Sequence, residues 1–286
     1  MPSKDYSYNI PDHPIEYMKV DPTTIKFDPR AQRNLNKVRA RAIAEKLVPT
    51  ALGTPILSAR EDGLYAVDGM HRVYACQLIL AGEVSVAKSV REAVQSITCE
   101  VHSDLSMANE ASLFIIKNKE SSKVGPNDEF RIGLLAGHPL FQDTNDVLEK
   151  HQLKVGSSSA NGVRGIKGIL SIVMDHGPEI LDQSLTVAEG AWGRVPDTWH
   201  AVTIGGIATV ISKHPELKRT ELSEKLKRQG DPTSFKAKIQ TIATNNNTRA
   251  DGTKGRLKAA HLAVASAWNA NRRGNVNRIP LPNIFE

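Results

Sequence analysis

Asp68, His71 and Arg72 stand within one short stretch, Asp68-Gly69-Met70-His71-Arg72, where an apolar run ends and an apolar helical run begins. The order strand, glycine turn, helix start leaves unpaired backbone N–H groups and the positive end of a helix dipole facing one spot. His71 and Arg72 add side-chain donors there. The chemistry to expect is the binding of an anion, phosphate first. The planar fork of Arg72 matches two phosphate oxygens; it can instead close an ion pair with Asp68. His71 can donate to phosphate, act as a general acid, or cap the helix. Asp68 can hold a metal ion or a ribose hydroxyl, although one carboxylate does not make a metal site. Gly69 fits the turn and the close approach of a ligand.

A second group of candidates is basic. Residues 213–286 hold 15 Lys and Arg against 6 Asp and Glu, whereas the first 212 residues hold 22 against 25. The formal charge of +6 is therefore owed to the C-terminal quarter. A basic tail beside a near-neutral body is the footprint of nucleic-acid binding, or else a solvated helical surface. Lys254, Arg256, Lys258, Arg272 and Arg273 are the candidate DNA contacts of that tail. Upstream, the serine- and glycine-rich turn Val155–Val163 leads into a helix bearing Arg164 and Lys167. It can set a helix N-terminus on DNA phosphates or simply connect two helices.

Other chemistries lack their residues. There is no GxxxxGK[ST], HExxH or GxSxG motif. The two cysteines, Cys76 and Cys99, have no metal-ligand spacing and lie in apolar surroundings, as small core residues do. Together with a polar, proline-bearing N-terminus that reads neither as a signal peptide nor as a membrane span, they predict a cytoplasmic protein with no membrane partner.

The elements that must position these residues fall in two regimes. Strands are predicted near 18–22, at 56–60 and 64–68 around an Asp-Gly turn, and at 97–102. A helix capped by Asn34 is predicted to run to about Val48, with Leu35, Val38, Ala42 and Leu47 on its apolar face. The helix after His71 is apolar nearly all round and should be buried, with Gly82 ending it. From Ser106 the pattern reads as helical to the end. Pro126 and Gly137 bracket one helix, Gly177-Pro178 separates two, and others follow at 201–213, 220–229, after Asp231-Pro232, and at about 256–269. The expected class is α+β: a small α/β head, an all-helical body and a basic tail. The expected divisions are an arm (1–18), the head (19–105), the helical domain (106–244) and a basic helix with a flexible tail (245–286).

The head resembles the ParB/sulfiredoxin superfamily. The likeness lies in the order VDPTTIKFDPRAQR, a helix, LGTPILSA, then YAVDGMHRVYA. Asp68–Arg72 is most similar to the motif of the DGQHR group and to the ParB-like, nuclease-domain proteins of actinobacteria and their phages. Leu113–Asn118 and Ala191-Trp192-Gly193 add to the likeness. Met70 stands where sulfiredoxin has its cysteine, and the paired arginines of the CTP-dependent partition clamps are missing, so neither of those activities is implied. What the resemblance implies is a DNA-associated protein that binds a nucleotide or nucleic-acid phosphate, with NTPase or nuclease activity open. The implied cofactor is a nucleoside triphosphate, ATP or CTP, with Mg²⁺; the implied partner is DNA, and the mostly apolar helical body is compatible with self-association into a homo-oligomer. It also brings Gln32, Arg33, Thr54, Asn118 and Lys123 toward the phosphate, and makes Glu45 a candidate acid or base beside His71 and Asp68. Two rivals stand beside this reading: a phosphotransferase or DNA-modifying enzyme of the same fold, and a non-catalytic oligomerising protein.

Overall fold

The computed structural model describes residues 8, 10–121, 125–157, 159–248, 252–271 and 278–283. The chain divides into two compact units, Met1–His138 and Pro139–Glu286. It is of mixed α+β class, with a four-stranded sheet and a larger helical part.

The sheet of the first unit is built from β1 (Ile15–Val20), β2 (Ile56–Arg60), β3 (Gly63–Asp68) and β4 (Ile97–His102) in the order β1-β4-β2-β3. β2 runs parallel to β4, and the two outer pairs are antiparallel. Side chains alternate between the faces of a strand, so neighbouring residues serve different cores. Leu57 and Ala66 join one apolar cluster, with Val73, Cys76 and Ile79 of α2 (Met70–Leu80). Ile56 and Val67 join the other, with Phe114 of α4 (Met107–Ser121) and Ile132 of α5 (Pro126–Leu135). The sheet is thus covered on both faces. Burial pushes the Cys76 thiol up to about 12 and the Cys99 thiol to about 11, so both are inert core residues.

The expected helix at 34–48 is shorter and differently phased. α1 is Lys37–Glu45, and its cap is Asn36, whose side chain accepts from the Arg39 N–H. Val38, predicted to be buried, is 81% exposed, while Ala40 and Ala44 are fully buried. Leu35 and Leu47 lie beyond the helix ends and still pack against the core. The expected stripe therefore mixed helical with non-helical residues. β1 starts at Ile15, inside the stretch read as an arm, and a short helix, α3 (Lys88–Ala93), precedes β4.

The second unit holds α6 (Pro139–Lys150), α7 (Ile166–His176), α8 (Pro178–Trp192), α9 (Ala201–Lys213), α10 (Arg219–Lys227), α11 (Pro232–Asn245) and α12 (Gly252–Asn269). α9 is buried nearly all round and packs against α7, α8 and α12. It is apolar on every side (Ile204, Ile207, Val210, Ile211), as a central helix must be. The helical reading is broken in one place: β5 (Lys154–Val155) and β6 (Gly162–Val163) form a short parallel pair. The segment predicted to be a plain turn is pinned there by backbone bonds, Lys154 N–H to Asn161 O and Gly156 N–H to Val163 O. Among the described residues, no helix is long and apolar enough to cross a membrane.

Candidate functional site

β3 delivers Asp68 to the end of the sheet, and Gly69 turns the chain into α2. Gly69 is the N-cap of α2 at φ 82°, a left-handed conformation that favours glycine. Among the described residues no side chain caps this helix; the Arg72 N–H turns back to the Gly69 carbonyl, and the Met70 and His71 N–H groups have no intrahelical acceptor. Here the chain opens into a cavity of about 730 Å³.

Arg72 lies along its wall. Nη1 donates to the Leu52 carbonyl over 2.8 Å, and Nη2 to Asp68 Oδ2 over 3.0 Å. The fork rests against two glycines of positive φ. A Cβ on Gly53 would stand 2.7 Å from Nη1, and one on Gly69 would stand 3.0 Å from Nη2. Side-chain exposures of 31% for Arg72 and 30% for Asp68 leave the pair open to solvent. Of the alternatives read from the sequence, the ion pair with Asp68 is the one observed, and the paired Arg72 still faces a cleft.

The cavity is lined by Gln32, Arg33, Asp68, Gly69, His71, Arg72 and Asn118, all singled out from the sequence. It also holds Arg39 and Lys46, which sequence reasoning missed. Together with Ala42 and Ile43 they form the inward stripe of α1, at helical spacing from one another. That stripe was legible in principle, but the wrong helix phase hid it. Among the described residues Asp68 is the only carboxylate of the lining, against Arg33, Arg39, Lys46 and Arg72, so the cavity is electropositive. Its apolar wall comes from Ile43, Leu47, Leu52, Val67 and Phe114.

The polar residues have fixed roles. His71 is buried, and its Nε2 accepts the Asn36 backbone N–H over 3.1 Å. Burial, then Arg33 and Arg39, hold its pKa below the usual histidine value. The ring is therefore neutral near pH 7, with its proton on Nδ1 as a hydrogen-bond donor. Burial, then Arg39, lowers the pKa of Arg33, which remains a cation. Gln32 donates through Nε2 to the Ala66 carbonyl, and its buried Oε1 has no partner among the described residues. Asn118 donates through Nδ2 to the Phe114 carbonyl over 2.8 Å, which leaves Oδ1 as its acceptor.

Two expected contributors, Glu45 and Thr54, do not line this cavity. Glu45 is exposed at the end of α1 and does not line the cavity, roughly a third of a turn from the stripe that does. Thr54 lines a separate groove of about 310 Å³ with Lys19, Thr50, Ser96 and Thr98. Lys123 lies outside the described residues, as do Arg272 and Arg273. In the second unit, Arg164 and Lys167 are exposed where α7 begins behind Gly165. Lys254 and Arg256 are exposed on the first turns of α12, and Lys258 is half-buried there.

No group of three or more His, Cys, Asp or Glu side chains among the described residues could hold a metal ion. Comparison of the chain with protein-family models, with curated proteins and with solved structures finds no match. The functional reading rests on the geometry of the cavity.

Proposed function

We propose that this chain is a ParB/sulfiredoxin-like, DNA-associated protein whose first unit binds a nucleotide or nucleic-acid phosphate at Asp68–Arg72. The observation that carries this reading is the Arg72 fork, seated between Gly53 and Gly69 on the wall of an electropositive cavity. Two of its five N–H donors serve Leu52 and Asp68, and the rest remain for phosphate oxygens. The volume and the mixed lining suit a nucleoside triphosphate such as ATP or CTP, with base and sugar on the apolar wall. A Mg²⁺ ion would arrive on the phosphates, because the lining offers it one carboxylate, already paired with Arg72.

Binding is favoured over turnover. A base for hydrolysis or phosphoryl transfer must reach the attacking group. Asp68 is held by Arg72, His71 spends its lone pair on Asn36, and Glu45 is outside the cavity. The phosphotransferase reading lacks its base on this geometry.

Thermal melting of the full chain with ATP, CTP, ADP or duplex DNA, each with and without Mg²⁺, tests the reading. A ligand at 100 times its Kd stabilises by about 2.7 kcal/mol. Arg72→Ala should remove that gain. Melting curves that no phosphate ligand shifts would overturn the proposal.

A further inference from the structure

α11 lies on the surface of the second unit. It buries Phe235, Ile239 and Ala243 at intervals of four residues, against α12 and the turn at 196–199. The opposite stripe is open along the whole helix: Ala237, Lys238, Gln240, Thr241, Thr244 and Asn245 are all exposed. α11 contains no Asp or Glu. The solvated face of a surface helix ordinarily mixes charges of both signs, as α10 does with Glu221, Glu224, Lys225 and Lys227. The stripe of α11 instead carries small side chains and amides, with Lys238 as its one charge. Gln240, Thr244 and Asn245 make no side-chain hydrogen bond among the described residues.

Cations stand close in the sequence to both ends of α11. Lys227 and Arg228 close α10 just before α11 begins. Lys225 Nζ donates to the Ala270 carbonyl over 2.6 Å, so the far end of α12 returns to α10. The start of α12, with Lys254 and Arg256, therefore lies toward the end of α11. Lys227, Arg228, Lys254 and Arg256 are exposed and have no ion pair among the described residues. Two nearby carboxylates are engaged: Asp231 caps α11 through the Ser234 N–H, and Asp197 takes Thr233 and Lys236.

We infer that α11 is a groove-reading helix for duplex DNA, with its acid-free stripe in the major groove and these cations on the phosphates to either side. At 14 residues it is about 20 Å long and slim enough along this face to enter a groove about 12 Å wide. Gln and Asn pair with adenine edges, Lys with guanine, and Ala and Thr methyls with thymine. The cations supply affinity that does not depend on sequence. The inference deepens the DNA-associated reading above and rests on it.

Selection of the full-length protein on a random duplex pool, followed by anisotropy titrations, tests it. Gln240→Ala and Asn245→Ala should each lower the preference for selected over random duplex about tenfold, leaving random-duplex affinity and its salt slope unchanged. The pair Lys254→Gln and Arg256→Gln should weaken all duplexes alike and flatten the salt slope by about 2. DNA binding that persists with its preference untouched by the α11 changes overturns the role of α11 and spares DNA association. A wild-type chain that binds no duplex removes both. Double-stranded RNA competing as well as DNA overturns the groove assignment, because the deep, narrow A-form major groove shuts out a helix.

Discussion

The backbone N–H of Asn36 donates to His71 Nε2 over 3.1 Å, while the Asn36 side chain accepts from the Arg39 N–H over 2.9 Å. One residue thus caps α1 and ties it to the first turn of α2. Arg39 and Arg72, on the two helices, are aligned on the same cavity by that tie. Replacing His71 by Leu leaves the Asn36 N–H without its acceptor and should cost about 1–2 kcal/mol in urea unfolding. Phosphate-ligand affinity should fall with it. An ¹⁵N NMR spectrum of the wild type should show the His71 proton on Nδ1 at pH 7; an imidazolium there would contradict the assigned role.

Gly53 and Gly69 hold the Arg72 fork by having no side chains. Gly53→Ala and Gly69→Ala each impose a left-handed backbone on a residue with a Cβ, at φ 68° and 82°, and press that Cβ on the guanidinium. Each should destabilise the fold by about 1–3 kcal/mol and weaken ligand binding more than the stability loss explains. Chemical denaturation and ligand titration on the same samples separate the two effects. Normal affinity in both variants would show that the fork does not need its seat.

Arg60 joins β2 to α4 through both carboxylate oxygens of the buried Glu110, at 2.8 and 2.5 Å, and reaches Asp28 over 2.8 Å. Its guanidinium also stacks 3.9 Å from the Tyr65 ring centroid. Arg60→Ala strands the buried Glu110, while Asp28 keeps its pair with Arg30, and should cost about 3–5 kcal/mol. Arg60→Met with Glu110→Leu should recover part of that loss, since an apolar pair needs no counter-charge. A single variant as stable as the wild type in guanidinium melts would contradict this.

Acid should destabilise the protein from about pH 6.5 downward. Burial lowers the pKa of His71, His176, His200 and His261, the last to about 4. Each binds its proton more readily in the unfolded chain. Their contribution is complete above the ordinary histidine pKa and is lost as the pH falls toward the folded value. His261, 7% exposed and with no partner for its Nε2 among the described residues, should account for on the order of 3 kcal/mol between pH 7 and pH 4. His261→Leu should flatten the decline in Tm over that interval. An identical decline in the variant would assign the effect to other groups.

The strand-turn-helix at residues 63–80 was legible because local signals agree there: an Asp-Gly turn, an apolar strand, a glycine cap and an apolar helix. The helix starts at Ser106, Pro126, Gly177 and Asp231 were legible for the same reason. α1 was misread because Leu35 and Leu47 suggested a phase, whereas burial is decided by Ala40 and Ala44 against α2, a tertiary contact that small residues do not announce. Arg39 and Lys46 were lost with that phase. β5 and β6 were hidden because two-residue strands have no periodicity to detect. The acid-free face of α11 was written in the sequence, but it acquires meaning only once Phe235 and Ile239 are known to be its buried side.

The central claim is that Arg72 holds phosphate in the cavity at Asp68–Arg72, and calorimetric titration tests it most directly. Full-length protein should be titrated with ATP and with CTP, with and without Mg²⁺, beside Arg72→Lys and Arg72→Ala. The expected result is saturable binding of at least one nucleotide by the wild type, weakened about tenfold or more by Arg72→Lys, which keeps the charge and loses the fork, and abolished by Arg72→Ala. Nucleotide affinity unchanged in Arg72→Ala, or no heat from any nucleotide with the wild type, would contradict it.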